Sequence, residues 1–324
     1  LAFYDFQKGL LELHNSGVIL SVCSKNNQSD VLECWSKHPS IIINKKHLSS
    51  YRINWVDKPS NIGAIADELN IGLDSIVFID DNPVERERVK FELPMVSVPD
   101  FPEQPYLLPD FLKSVQYEYF QIHQLTSEDQ KKTEQYKTNV KRKVFSQKFK
   151  NIDDYLSSLK MELNLFDCNE LNILRISQMT QKTNQFNLTT KRYIEQDLIN
   201  IKKNNGLINC LSVKDRFGDN GITVASVILI DQHIASIDSF LLSCRILGRG
   251  IEEAYLLFLL NNLFKMGITT VEAKYIPTKK NKQTSEFYEN QGFKIIKTEE
   301  SGIKTYSLEL VKINKIKEYY KFIS

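Results

Sequence analysis

The sequence predicts an α/β protein in two parts: a helix-covered parallel sheet in the first hundred residues, then an α+β part. Two observations lead there. Short, continuously apolar runs separated by helix-length stretches mark strands buried on both faces. After about residue 151 the rhythm changes to helices first, then apolar runs joined by turn residues. The chain has 324 residues, 42% of them hydrophobic and 25% charged. That suits about two domains with real cores and excludes a disordered, collagen-like or coiled-coil chain.

The elements follow in order. Residues 6–14 read as a helix with Leu10, Leu11 and Leu13 on one side, ended by Gly17. Residues 18–22 are a buried strand, 28–38 a helix and 41–43 a short apolar run. Residues 62–69 form a helix and 75–79 a second buried strand. Pro83 suits the first position of a helix over 84–91, and 95–98 is a last strand. Prolines 99, 102, 105 and 109 then break the pattern. From Thr126 to about residue 150 the chain is helical and polar, with Lys131, Lys132, Lys137, Lys141, Arg142 and Lys143. It reads as a solvated connecting helix, or else as a docking face for an acidic partner.

In the second part, 171–181 and 192–203 are helical. Residues 208–214, 222–230 and 234–242 are successive antiparallel strands, with Gly218 and Asn220-Gly221 at the first turn and Asp231-Gln232 at the second. A helix (251–264), a strand (269–275), a helix (284–290) and two strands (293–297, 304–308) complete it. The expected division is 1–115, a helical linker 116–150, and 151–324.

Charge and cysteine usage narrow the function. Lys+Arg at 42 against Asp+Glu at 40 leaves a net +2, so an electrostatic nucleic-acid binder is not expected. The longest apolar run, residues 254–260, is far too short to span a membrane. Cys23, Cys34, Cys168, Cys210 and Cys244 form no CxxC pair and join no histidine cluster, which argues against a disulfide framework or structural zinc and for a reducing cytoplasm. The chain begins with Leu1 rather than Met and reads as starting within a longer protein. The five histidines (His14, His38, His47, His123, His233) fall in no motif.

Two constellations carry chemistry. In the first, one strand runs into Cys23-Ser24-Lys25 and another into Asp80-Asp81-Asn82-Pro83. In a parallel sheet the carboxyl ends of strands face one crevice. Paired acids there suit Mg2+, while a serine hydroxyl, Lys58 and backbone N–H groups suit a phosphate. Asp80-Asp81 also suits a plain helix cap. In the second, Arg245, Gly248, Arg249 and Gly250 lie between a strand and a strongly apolar helix, where backbone N–H groups and the helix dipole favour a pyrophosphate. A polar loop holding Thr183, Asn184, Gln185, Asn187, Thr189 and Thr190 suits either a pantetheine arm or hydroxylated acyl group, or a capped helix–loop–helix junction. Asp215, Arg216, Asp219 and Asn220 sit on a hairpin that could line the same cleft.

The first constellation resembles the haloacid dehalogenase (HAD) phosphotransferase superfamily, whose nucleophile-bearing Asp-x-Asp strand is not in this sequence. Arg245-x-x-Gly248-x-Gly250 resembles the coenzyme-A loop of GNAT acyltransferases. Tyr275-Ile-Pro277, Asn281 and the segment from Phe287-Tyr288 to Gly292-Phe293 extend that likeness. Residues 22–26 (VCSKN), 78–86 (FIDDNPVER), 179–190 (MTQKTNQFNLTT), 215–221 (DRFGDNG) and 242–250 (LSCRILGRG) together resemble the FkbH-like family, over nearly the whole chain. The resemblance implies a truncated HAD-like Rossmannoid parallel sheet followed by a GNAT-like α+β domain. It implies a bifunctional glyceryl transferase and phosphatase. Such an enzyme takes 1,3-bisphosphoglycerate, a phosphorylated three-carbon acyl donor. It loads the glyceryl unit onto an acyl carrier protein through a cysteine thioester, often for polyketide biosynthesis.

Carried onto this chain, the resemblance implies Cys23, Ser24 and Lys58 as catalytic residues and Asp80 and Asp81 as Mg2+ ligands. It implies Asn184, Asn187, Arg245, Gly248, Arg249, Gly250 and Tyr288 around a carrier-borne phosphopantetheine or CoA. Cys23, beside the phosphate site, is the first candidate nucleophile and Cys244 the second. Two rival readings are a CoA-dependent N- or O-acyltransferase with a non-catalytic first half, and a carrier-docking module with degenerate sites.

Overall fold

The computed structural model describes residues 2–120, 132–311 and 315–323. The chain divides into two compact units, Leu1–Val144 and Phe145–Ser324. The fold class is the expected one, α/β followed by α+β. Among the described residues, no helix is long and apolar enough to cross a membrane.

The first unit contains α1 (Ala2–Asn15), β1 (Leu20–Ser24), α2 (Gln28–Lys37), β2 (Leu48–Ile53), α3 (Lys58–Leu69), α4 (Pro83–Glu92), α5 (Leu108–Tyr119) and α6 (Lys132–Ser146) as far as Val144. β1 and β2 pair in parallel, with Cys23 opposite Arg52 and Ser24 opposite Ile53. The short apolar run at 41–43 is not a strand; β2 lies just beyond it. Polar residues disguise β2 in the sequence: Ser49 and Ser50 are buried within it. Glu68 of α3 offsets that polarity, accepting from the Ser50 hydroxyl (2.6 Å) and pairing with Arg52 (2.6 Å). The two strands expected at 75–79 and 95–98 reduce to one parallel bridge, Val77 to Ser97. Two hydrogen bonds secure it, from the Phe78 amide to Ser97 O and from the Ser97 amide to Ile76 O. Phe78 and Val96 still bury their side chains with Ile62 and Val89 in a small core. Gly9 lets α1 and α5 approach closely, since a Cβ there would meet Leu112 at 2.5 Å.

α6 differs from the solvated connector expected. Thr133, Gln135, Tyr136 and Arg142 are buried. Lys137 and Lys143 turn back to donate to the carbonyls of Lys46 (2.6 Å) and Asp67 (3.0 Å). The start of the expected helix at Thr126, with His123 and Lys131, lies outside the described residues.

The second unit contains α7 (Ile152–Leu159), β3 (Met161–Asp167), α8 (Ile173–Lys182), β4 (Phe186–Asn187), α9 (Glu195–Lys203), β5 (Leu207–Asp215), β6 (Gly218–Asp231) and β7 (Ile234–Leu242). It continues with α10 (Ile251–Lys265), β8 (Thr270–Tyr275), α11 (Phe287–Asn290), β9 (Lys294–Thr298), β10 (Lys304–Glu309) and β11 (Tyr320–Ile323). One nine-stranded sheet runs β11-β3-β5-β6-β7-β8-β10-β9, with β4 added against β7. The β11–β3 and β7–β8 pairs are parallel and the rest antiparallel. Alternating strand residues serve two cores. Leu211, Val224, Phe240 and Leu242 pack with Tyr255 and Leu259 of α10. Cys210, Ala225, Val227 and Leu241 pack with Ile176 of α8 and Leu198 of α9.

The β5–β6 turn corrects one expectation. It is made by Arg216-Phe217, and Asn220-Gly221 lies inside β6. Gly221, at φ +66°, sits where the register of the pair shifts, so the glycine serves a bulge rather than the turn.

Candidate functional site

In the first unit the predicted residues converge on Lys58. Asp57 caps α3, its carboxylate accepting from the Ser60 amide at 2.8 Å, which puts Lys58 at the first helical position. A cation there opposes the helix dipole, and this one is buried, so it needs partners. Its Nζ donates to Cys23 O (2.5 Å) and pairs with Asp80 Oδ2 (3.1 Å). One side chain thus ties the carboxyl end of β1 to the acid pair after Ile79.

Asp80 and Asp81 do not cap α4. Asn82 does, accepting from the Val84 amide at 2.9 Å, while Asp80 Oδ1 accepts from the Asn82 amide at 2.9 Å. Arg86 holds both acids by their carbonyls (3.0 and 2.9 Å). Ser24 ends β1 half-buried, and its carbonyl accepts from the Asn54 amide. Lys25 pairs with Glu85 of α4 at 2.5 Å. Cys23 Sγ lies 4.0 Å from Lys58 O. Burial pushes its thiol above the ordinary range, and Asp80 and Glu85 add to this against Lys58 and Lys25. Cys23 is therefore held as a thiol at neutral pH.

The acid pair fits Mg2+ in a restricted way. Asp81 is exposed and Asp80 is already engaged by Lys58 and Asn82. No group of three His, Cys, Asp or Glu able to hold a metal lies among the described residues. Mg2+ commonly takes one or two carboxylates and fills its shell with water and phosphate oxygens. Asp80 and Asp81 would hold it in that manner, together with a phosphate.

In the second unit the glycine turn is built largely for itself. Arg249 is buried, and its guanidinium pairs with Asp215 (3.1 Å) and donates to Arg245 O (2.7 Å). Arg249 and Asp215 therefore hold the turn against β5 and do not line an open cleft. Arg245 is buried too, its Nε donating to Ser243 Oγ at 3.1 Å. Gly248 (φ +77°) has open space around it, whereas a Cβ on Gly250 (φ +62°) would meet the Tyr320 hydroxyl at 2.4 Å. That hydroxyl donates to Arg249 O at 2.7 Å. Cys244 is half-buried in the same turn.

The polar loop is neither a helix junction nor an open arm site. β7 and β8 pair in parallel only from Ile234 to Ile237. Beyond that the gap is filled by the chain itself: Phe186 pairs with Leu242, Asn187 with Leu241, and the Leu188 amide donates to Phe240 O. The Ile276 amide, just after β8, donates to Leu188 O. Asn187 is fully buried, with its side chain bonded to Thr183 O and the Thr190 amide. Asn281, also fully buried, donates to Asn187 O and Ile276 O and locks the segment. Asn187 is thus corrected from ligand contact to loop support. Asn184 Oδ1 accepts from Arg192. Tyr288 is buried among aromatic rings, and its hydroxyl has no hydrogen-bond partner among the described residues. Burial pushes its pKa up. The side chains of Arg249 and Asn187 are spent inside the fold and that of Arg245 is buried, while Gly248 is exposed and Gly250 and Asn184 are half-buried.

Sequence reasoning missed Asp238. Val227 and Ile228 of β6 pair with Ser239 and Ile237, leaving Asp238 as the extra residue of a bulge. Its carboxylate takes Lys191 and the Tyr193 hydroxyl. Within an alternating strand sequence nothing marks such a residue.

No family model matches the chain, and no curated protein matches it. Solved structures do. The N-terminal part of a Bacteroides fragilis protein, containing a phosphatase domain complexed with Mg, is 37% identical over 38% of this chain, with a TM-score of 0.37. The chain spans about a third (32%) of that structure's length. The ribosomal-protein-S18-alanine N-acetyltransferase of Escherichia coli is 12% identical, covering 47% of this chain and 97% of its own, with a TM-score of 0.37. An acetyltransferase of the GNAT family from Staphylococcus aureus is 15% identical, covering 46% and 99%, with a TM-score of 0.35.

Proposed function

We propose that the protein is a two-part acyltransferase. Its first unit binds a phosphorylated three-carbon acyl donor, 1,3-bisphosphoglycerate, and its second unit serves transfer of the glyceryl group to the phosphopantetheine thiol of an acyl carrier protein. The observation that carries the reading is Lys58, a buried cation joining the end of β1 to the acid pair Asp80-Asp81. Ser24 and Lys25 at the same strand end add a hydroxyl and a second cation for phosphate.

In the transfer, a cysteine sulfur attacks the acyl-phosphate carbon. The carbon–oxygen bond to phosphate breaks and inorganic phosphate leaves, giving a thioester. Water removes the remaining phosphate ester, and the carrier thiol displaces the enzyme sulfur. Asp80 and Asp81 would hold Mg2+, which would supply charge neutralisation for the phosphate. Cys23 is the sulfur closest to the phosphate-handling cluster, and its proton must leave before it attacks; Cys244 is the alternative. A CoA-dependent reading is weaker, because Arg249 is committed to Asp215 and residues 186–188 fill the sheet gap.

The test is intact-protein mass spectrometry of the chain with Mg2+ and 1,3-bisphosphoglycerate, with and without a holo carrier protein. The expected result is a glyceryl adduct that passes to the carrier and is lost in Cys23→Ala. An adduct lost only in Cys244→Ala moves the nucleophile to the second unit. No adduct on either protein, with the chain folded, overturns the reading.

A further inference from the structure

Glu85 has no part in the reading above, yet it stands in the same cluster. It occupies the third position of α4, where an acid ordinarily reaches back to the cap residue's amide. Here Asp80 already takes the Asn82 amide, so Glu85 is released from that task. One oxygen, Oε1, pairs with Lys25 at 2.5 Å. The other, Oε2, is buried and has no hydrogen-bond partner among the described residues. The Lys25 pair places Glu85 beside the end of β1, since Lys25 directly follows Ser24. A buried carboxylate oxygen left without a donor is costly, so a donor from outside the chain is favoured.

We propose that Glu85 is a specificity residue that accepts a hydrogen bond from a ligand hydroxyl lying next to the phosphate. The ligand class is then a phosphate ester with a neighbouring free hydroxyl. The inference rests on the first unit binding a phosphorylated donor and adds which feature of that donor is read. Lys25 and Lys58 supply attraction for any phosphate; Glu85 alone distinguishes a hydroxylated carbon from a bare one. The Lys25 pair orients Glu85 through Oε1, leaving Oε2 for the ligand.

Calorimetric titration of the full chain with 3-phosphoglycerate, its analogue lacking the C2 hydroxyl (3-phosphonooxypropanoate) and inorganic phosphate tests this. The wild type is expected to favour the hydroxylated compound about tenfold, the size of one hydrogen bond to a charged group. Glu85→Ala removes that preference while inorganic phosphate binds no more weakly, since Lys25 is freed. Glu85→Gln, which preserves shape, lowers the preference without lowering the midpoint of thermal unfolding. Equal weakening of all three ligands in Glu85→Ala would mark a merely structural role and overturn the inference. So would an unchanged preference accompanied by weaker Mg2+ binding, which would make Glu85 a cation ligand. A wild type that binds phosphate without preference overturns this inference alone. A wild type that binds none of the three overturns the phosphate reading and this inference with it.

Discussion

Arg249 and Asp215 each looked like a surface residue of a binding cleft, and each is buried against the other. Their side chains are 4% and 0% exposed, so neither charge has water as an alternative partner. Removing one takes from the other the opposite charge it pairs with inside the protein. Arg249→Ala or Asp215→Ala should therefore destabilise the protein by about 3–5 kcal/mol, and joint replacement by apolar residues of similar volume should cost much less. Urea unfolding of the single and double variants measures this. If Arg249→Ala kept full stability and lost ligand affinity instead, Arg249 would be a phosphate contact after all. Lys58 is buried too, but its partners, Cys23 O and Asp80, come from the polar cluster in which the sequence placed it.

At the scale of elements, packing changed roles that spacing had suggested. β4 closes the opening between β7 and β8, converting a loop read as a ligand arm site into part of the sheet. α6 lays polar residues against the first unit, where Thr133 meets His14 at 3.3 Å. His14 of α1 and His47 of the turn Lys45–His47 meet edge to face, ring centroids 5.6 Å apart, with Lys46, Lys137 and Glu134 around them. Burial lowers both imidazole pKa values; Lys137 adds to this at His14, and Lys46, His14 and Lys137 at His47. Because the folded pKa values lie below the unfolded value of about 6.5, the unfolded chain binds more protons in that window, so stability rises with pH there. The contribution is full above pH 6.5 and declines as pH falls toward the folded values. The urea midpoint should drop between pH 7.5 and 5.5, and the paired change His14→Gln with His47→Asn should flatten the decline. A decline as steep in that variant would assign it to other groups.

For the whole molecule, charge is nearly balanced, with 42 basic and 40 acidic residues. Many of the basic groups in the first unit are also paired locally, as in Lys25–Glu85, Arg52–Glu68 and Lys58–Asp80. Strong, salt-dependent nucleic-acid binding draws on a basic stripe, and with this balance it is not expected. Fluorescence anisotropy with a random DNA oligonucleotide should show no saturable binding at physiological salt. A measurable affinity that falls steeply with added salt would reveal a basic face hidden by the totals.

The sequence by itself determined the order and type of most elements and the turn at Ser243–Gly250, and it singled out Lys58 and Asp80-Asp81 as one polar cluster. These rest on local signals: apolar periodicity, caps, glycine and proline placement, and polar residues at strand ends. It did not reveal β2, where the buried Ser50 is satisfied by Glu68 from a later helix. Nor did it reveal the β4 insertion, the bulge at Asp238, or the inward turn of Arg249. Only tertiary structure decided those, because a polar or charged side chain takes its role from the partner that meets it, and these partners come from distant parts of the chain.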